Sequence, residues 1–360
     1  MKILLDARSI NRTGIGSYTR MLIYGLLSKG IDFKVMGSQK EIRNFYPNLD
    51  IVHTSSSIYS LREQISTLLA ELKASDVSIV HYTNYNKSFF SKLPYIVTIH
   101  DLIQFKFGYG NPLKRKIAKI MLENSIVRAK GIICVSNSTK EDLVNMFPYI
   151  DSKKIYVVYN PAYNPTLKLD SSIDVKTKYG IPSYLLCVGN RKPHKNLELA
   201  VKSFNILAGE FNDLFLVIIA KKFESRDKLD IEIENSDYKS RILVLENVNY
   251  DELVSFYKFA ELTILPSLYE GFGLIPFESI SFGTLAMVSD IPIMRELFFE
   301  EDEIFFDPTN PRDLAQRVKL VLLNSEKKNM LINRLRKYLE VYSFEKFIAK
   351  TIEVYQECLL

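Results

Sequence analysis

Glu270-Gly271-Phe272-Gly273-Leu274-Ile275-Pro276-Phe277-Glu278 follows the apolar run Leu262–Leu265 and the short link Pro266-Ser267-Leu268-Tyr269. Helical residues continue from it to Phe282, and Gly283 ends them. Pro276 suits the first turn of that helix, where a missing N–H costs nothing. Gly271 and Gly273 open the backbone just ahead of it. Such a turn presents several N–H donors and the positive end of a helix dipole to an anion. Glu270 and Glu278 stand eight residues apart, so they can address different parts of one extended ligand. Carboxylates suit hydroxyl-rich ligands, because each oxygen accepts hydrogen bonds. The plain alternative is a pair of carboxylates favoured by the helix dipole alone.

Strand, glycine turn and helix form one unit of an α/β fold, and the unit recurs along the chain. Continuous apolar runs predict strands at Lys2–Asp6, Phe33–Met36, Val77–Tyr82, Tyr95–His100, Gly131–Val135 and Ile155–Val158. They resume at Tyr184–Val188, Phe215–Ala220, Ile242–Leu245, Leu262–Leu265, Leu285–Val288 and Ile304–Phe306. Unbroken apolarity is expected of parallel strands covered on both faces. The expected class is α/β, two Rossmann-like doubly wound parallel sheets facing across a cleft. Pro161, Pro165, the polar run Asp170–Lys178 and Gly180-Ile181-Pro182 break the pattern and mark a linker. The predicted domains are residues 1–165 and 166–342, with a final helix at 343–360 crossing back to the first. A chain of 360 residues is long enough for two cores.

In open parallel sheets, ligands bind beyond the carboxyl ends of the strands. Three other turns fall there. Gly14 and Gly16 follow the first strand and precede a helical pattern from Tyr18, which offers a backbone approach to phosphate or merely a tight strand-to-helix turn. Gly189-Asn190-Arg191-Lys192-Pro193-His194-Lys195 follows Tyr184–Val188 and places three cations within five residues. A diphosphate needs positive charge to bind and to leave; a solvated basic loop is the alternative. His100 ends another strand, where a histidine either faces a ligand or bonds backbone.

Composition excludes several classes. No window approaches the roughly 20 apolar residues of a membrane span. The start, Met1–Asp6, lacks the shape of a signal peptide, so a cytoplasmic protein is expected, with the inner face of the cell membrane as an alternative site. Cys134, Cys187 and Cys358 are scattered, and the four histidines show no ligand spacing. No Asp-x-Asp pair offers a place for a divalent cation. The basic residues follow no nucleic-acid-binding pattern. Residues 1–165 carry 22 Lys and Arg against 12 Asp and Glu; the remainder carries 25 against 30. That asymmetry fits an anionic acceptor or membrane surface near the first half, or ordinary drift between domains.

These motifs resemble the retaining glycosyltransferases of family 4, which have the GT-B fold, over nearly the whole chain. The most specific mark is the Glu-x7-Glu element from Glu270 to Glu278. Thr13–Thr19, Val97–Leu102, Val135–Thr139, Lys192–Asn196, Asn247–Leu253 and Tyr342–Phe347 also match. The resemblance implies a retaining transfer of a hexose, mannose favoured, from a nucleoside-diphosphate sugar such as GDP-mannose, with neither metal nor cofactor, in keeping with the lack of an Asp-x-Asp pair. The acceptor would be an oligosaccharide or lipid-linked saccharide in surface polysaccharide or lipopolysaccharide synthesis. By position, Glu270, Gly271, Phe272 and His100 would hold the donor sugar. Glu278, Asn247 and Val248 would hold ribose and base. Gly14, Gly16, Gly273, Leu274, Lys195 and Arg191 would hold the diphosphate, and His100, Lys195 and Glu270 would serve catalysis. The mechanism would be front-face substitution, a leaving-group phosphate oxygen helping to deprotonate the acceptor. Asn190 stands where the family usually has Arg, which leaves Arg191 or His194 to compensate. Leu285 replaces a usual proline.

Residues 104–121 mix aromatics with Lys114, Arg115, Lys116 and Lys119. They form either a solvated helix or a contact with an anionic membrane. Two other functions share the architecture: a non-hydrolysing sugar-nucleotide epimerase and a non-catalytic nucleotide-sugar-binding protein. Release of nucleoside diphosphate with and without acceptor separates them.

Overall fold

The structure is a computed structural model and describes residues 1–12, 14–54, 61–165, 171, 173–222 and 226–360. It contains two compact units, residues 1–166 with 344–360, and residues 167–343. The boundary expected between 165 and 166 adjoins residues 166–170, which lie outside the described residues, as does Thr13 of the first glycine turn.

The first unit holds a parallel sheet of β1 (Lys2–Asp6), β2 (Asp32–Gly37), β3 (Ile51–His53), β4 (Ile79–Tyr82), β5 (Tyr95–Ile99), β6 (Gly131–Cys134) and β7 (Ile155–Val157). Their spatial order is β3-β2-β1-β4-β5-β6-β7. Its helices are α1 (Gly14–Ser28), α2 (Gln39–Arg43), α3 (Leu61–Lys73), α4 (Ile103–Lys106), α5 (Pro112–Val127) and α6 (Asn137–Met146).

The second unit has β8 (Ser183–Asn190), β9 (Leu214–Lys221), β10 (Ile242–Leu245), β11 (Leu262–Leu265), β12 (Ala286–Ser289) and β13 (Phe305–Phe306), in the order β10-β9-β8-β11-β12-β13. Its helices are α7 (Val175–Tyr179), α8 (Leu197–Ala208), α9 (Lys228–Glu234), α10 (Tyr250–Phe259), α11 (Ile275–Ser281), α12 (Pro292–Leu297), α13 (Pro311–Leu322), α14 (Ser325–Leu335) and α15 (Lys337–Val341). The last helix, α16 (Phe344–Glu357), belongs to the first unit.

All twelve expected strands are present; β3 is the one the sequence reading omits. The continuous apolar runs have a direct cause. Ile3 and Leu5 face a core with Met21 and Leu22 of α1 and Ile348 of α16. Leu4, between them, faces the opposite core with Ala70 of α3 and Leu122 and Ile126 of α5. Because successive side chains alternate faces, a strand covered on both sides must be apolar at every position. Helix α16 is locked to the sheet: Ile348 presses on Gly25, where a Cβ would come within 2.6 Å of it. Tyr355 bonds His81 Nδ1 at 2.6 Å.

Candidate functional site

Strands β8 and β11 are hydrogen-bonded neighbours in the second sheet, so their carboxyl-end turns lie side by side. After β8 the chain makes a 3-10 turn, Pro193–Lys195, and Asn196 takes a left-handed φ of 52° before α8. Asparagine tolerates that conformation better than most residues. The side chain of Asn196 donates to Pro266 O (3.0 Å) and Pro308 O (2.9 Å). The backbone N–H of Leu268 donates to His194 O at 2.7 Å. These bonds stitch the basic turn to the acidic one. Lys195 Nζ meets Glu270 Oε1 at 2.6 Å, with the two side chains only 14% and 11% exposed. Ser267 Oγ donates to the same oxygen at 2.7 Å. The aliphatic stem of Lys195 runs over Gly189, where an added Cβ would stand 3.9 Å from it.

The acidic turn needs glycine at one position. Gly273 has φ 86°, and a Cβ on it would fall 2.4 Å from Met294 Cε. Leu274 caps α11, and Pro276 sits in its first turn. The N–H groups that open a helix have no partner within it, so Gly273 and Leu274 bring backbone donors to this end. Glu278, one turn into α11, accepts from Tyr257 Oη at 2.6 Å. Burial pushes the Glu278 carboxyl up from its ordinary value, against the pull of that hydrogen bond. Tyr257 is itself buried and stacks on Phe282 at 5.5 Å. At the neighbouring β10 end, Asn247 is exposed with a left-handed φ of 56°, and half-buried Val248 packs on the core cluster containing Phe256 and Tyr257.

Three expectations meet a different geometry. Arg191 does not supply a loose cation: its guanidinium, 4% exposed, pairs with Asp227 at 2.6 Å and also with Asp230. Those two aspartates form the capping box that starts α9, so the charge of Arg191 is neutralised inside the unit. His194 does not compensate either. It is buried, and burial, aided by the neighbouring Lys195 charge, drops its pKa to about 4, leaving it neutral at pH 7. Phe272 is not a ring presented to a sugar: it is 4% exposed, stacked on Phe277 at 5.5 Å and edge-on to Tyr342 at 5.9 Å. Leu285 is fully buried, and its carbonyl accepts from Thr263 N at 2.8 Å, so its departure from the family pattern is absorbed in packing.

The first unit carries the remaining candidates. His100, just past β5, bonds Thr83 O through Nε2 at 2.8 Å and lies edge-on to Tyr18 at 4.8 Å. A carbonyl only accepts, so Nε2 carries the proton and Nδ1 is left as the acceptor. Burial lowers the pKa of His100 to about 4, so the ring is a neutral hydrogen-bonding group at pH 7. Gly16 is required by the chain itself: a Cβ there would strike Ile10 O at 2.5 Å and Ser9 O at 2.8 Å. Gly14 is exposed with open space around it.

Tyr257 and Ser267 are absent from the sequence-derived candidates. Ser267 stands three residues before Glu270 in the same turn, a signal that could have raised it. Tyr257 lies 21 residues from Glu278, on a different helix, and nothing local ties the two. Among the described residues, no group of three or more His, Cys, Asp or Glu is arranged to hold a metal ion. No helix among them is long and apolar enough to cross a membrane.

An O-antigen chain mannosyltransferase, RfbU, of Salmonella typhimurium is 26% identical over 69% of this chain and 65% of its own length. The serotype-specific mannosyltransferase WbdA of Escherichia coli is 26% identical over 61% of this chain and 28% of its own length. The chain thus spans less than two thirds of both relatives. Among solved structures, sucrose-phosphate synthase from Thermosynechococcus elongatus superposes with a TM-score of 0.77 at 15% identity, over 99% of this chain and 98% of that one. Anabaena Alr3699/HepE in complex with UDP and glucose gives 0.77 at 14% identity, over 99% of both. These likenesses show the GT-B fold class. Residues 12–162 match Glycosyltransferase Family 4 and residues 170–338 match Glycosyl transferases group 1, so the chain belongs to the group 1, family 4 glycosyltransferases.

Proposed function

We propose that this protein transfers a hexose from a nucleoside-diphosphate sugar to a saccharide acceptor, with retention of anomeric configuration and without a metal ion. The observation that carries the reading is the Lys195–Glu270 pair, stitched between two strand-end turns and beside the backbone donors of Gly273 and Leu274. A donor sugar diphosphate needs both partners: a cation for phosphate and a carboxylate for sugar hydroxyls. Mannose from a GDP donor is the first choice, because RfbU and WbdA are named mannosyltransferases. RfbU is named an O-antigen chain mannosyltransferase, which supports a saccharide acceptor of the surface-polysaccharide kind, an oligosaccharide or a lipid-linked saccharide.

In this mechanism the bond between the anomeric carbon and the diphosphate oxygen breaks as the acceptor oxygen attacks from the same face. The acceptor proton passes to a phosphate oxygen of the leaving group. Lys195 and the N–H groups of Gly273 and Leu274 stabilise the charge that develops on the diphosphate. Glu270 orients the sugar through its hydroxyls; on the first unit, His100 offers a neutral Nδ1 as a hydrogen-bond acceptor. Glu278, held by Tyr257, binds the ribose. Arg191 is left out of this scheme because its guanidinium, 4% exposed, is held by the two aspartates that start α9, whereas the partner of Lys195 is Glu270, itself assigned to the donor. The deciding assay is release of nucleoside diphosphate from GDP-mannose, UDP-glucose and dTDP-sugars, with and without an oligosaccharide acceptor. Acceptor-dependent release from one donor supports the reading. Epimerised donor without release, or binding without turnover, would replace it with the epimerase or the binding protein.

A further inference from the structure

Helices α3 and α5 lie on the same side of the first sheet, since Ala70 and Leu122 belong to one core cluster. Their outward faces therefore look the same way. On α3, Ile65, Leu69 and Leu72 are each more than half exposed; on α5, Leu113, Ile117 and Ile120 are each half exposed or more. Both triplets follow i, i+4, i+7 spacing, so each makes one continuous stripe. Residues 83–94 cross between β4 and β5 on this side, tied to α3 by Ser88 Oγ donating to Gln64 O at 3.0 Å. Phe90, on that crossing, is 61% exposed.

The charges around the stripes have one sign. Arg62, Lys73, Lys92, Lys114, Lys116 and Lys119 are exposed. The acids of the same elements are withdrawn: Glu63 and Glu71 are buried, and Glu123 is half-buried and accepts from Tyr149. Among the described residues of α3, 83–94 and α5, no acidic side chain is exposed. Beside α5 lies an open groove of about 390 Å³, lined by Phe105, Pro112, Arg115, Lys116, Lys119 and Met146. Three cations around an apolar floor match a phosphate headgroup and the first methylenes below it.

A contiguous apolar patch on a soluble surface marks a contact, and a rim of cations selects an anionic one. A second copy of this chain meeting through the same face would bring like charges together. We propose that the α3, 83–94 and α5 face docks the protein on an anionic phospholipid bilayer, with a phosphate headgroup in the Arg115–Lys119 groove. This surface extends the one expected from residues 104–121 by a second helix and the crossing segment. It does not rest on the transfer reading, because binding is measured without donor or acceptor.

The test is flotation of the full chain with vesicles of phosphatidylcholine alone and of equal parts phosphatidylglycerol and phosphatidylcholine. The parent is expected to float with the anionic vesicles, less so as salt rises, and to stay behind with the neutral ones. Each lysine near the surface is worth a factor of about five. Lys114→Gln, Lys116→Gln and Lys119→Gln together should weaken binding roughly a hundredfold. Lys73→Gln with Lys92→Gln should weaken it roughly 25-fold, and Leu69→Ser with Ile117→Ser should weaken it as well. All these residues are exposed, so thermal midpoints should match the parent. The proposal is overturned if the parent ignores anionic vesicles, binds both kinds equally, or is unaffected by the charge variants. It is equally overturned if sedimentation finds a dimer that Leu69→Ser with Ile117→Ser dissolves.

Discussion

Lys195 and Glu270 lie 75 residues apart in sequence yet touch at 2.6 Å. Each belongs to a motif that was readable by itself; their pairing was not. Lys195→Ala is expected to lower kcat/KM about 100- to 1,000-fold, the usual size for losing one charge-stabilising group, and to lower the thermal midpoint as well, because Glu270, 11% exposed, loses its cation. Arg191, four residues earlier, should differ in its effect on activity. Arg191→Met leaves Asp227 without its cation, while Asp230 keeps Lys222 at 2.6 Å; losing one partner of a buried pair costs about 3 kcal/mol. The midpoint should fall while kcat/KM of the folded enzyme holds. If Arg191→Met lowers kcat/KM and Lys195→Ala does not, the assignment of the phosphate cation is wrong. From sequence, the cations of this turn are equivalent; only the capping box that starts α9 tells them apart.

At the level of elements, the strand-to-helix turns do the positioning. The turn before α11 depends on Gly273, whose φ of 86° is costly for any residue with a Cβ. Gly273→Ala should raise KM for the donor at least tenfold and leave saccharide-acceptor affinity unaltered, as read by initial rates over both substrates. Helix α10 supports α11 through Tyr257. Tyr257→Phe leaves a Glu278 oxygen without its donor, which costs about 1–3 kcal/mol. The variant should lose donor affinity more than kcat, and an unchanged KM would remove Tyr257 from the ribose subsite. Element positions were legible because apolar runs and glycine or proline punctuation are local. The short edge strand β3 was not: three residues, one of them an exposed His53, are too few to show a period. The packing of Phe272 was not legible either, since an aromatic next to glycine looks alike whether its ring faces a ligand or Phe277.

For the molecule as a whole, the buried histidines set an acid limit. Burial lowers His81 to about 3, and His100 and His194 to about 4, all below the ordinary value near 6.5. Above about pH 6.5 both folded and unfolded states leave them neutral, and their stabilising contribution is complete. As pH falls below that, the unfolded chain takes up protons that the folded chain refuses. Stability is then lost at up to about 1.4 kcal/mol per pH unit for each histidine, until pH reaches the folded values. Glu71 and Glu278, raised by burial, bind protons more readily when folded and offset part of the loss. Urea unfolding at pH 7.5 and at pH 5 should show a lower midpoint in acid. A midpoint that rises or stays level would mean the histidines protonate freely in the folded state.

The linear sequence determined the alternation of strand and helix, the two-core length and the turn chemistry around Gly273, because these follow from periodicity, backbone sterics and local charge. It also carried the Glu270–Glu278 element, whose sugar, phosphate and ribose roles are proposed from adjacent residues. Tertiary structure alone decided which charges are available. Arg191 is neutralised by α9, His194 and His100 are held neutral by burial, and Glu270 is paired with Lys195 and held by Ser267. The physical reason is that a side chain's charge, protonation and exposure depend on neighbours brought from distant positions, which no window of sequence contains.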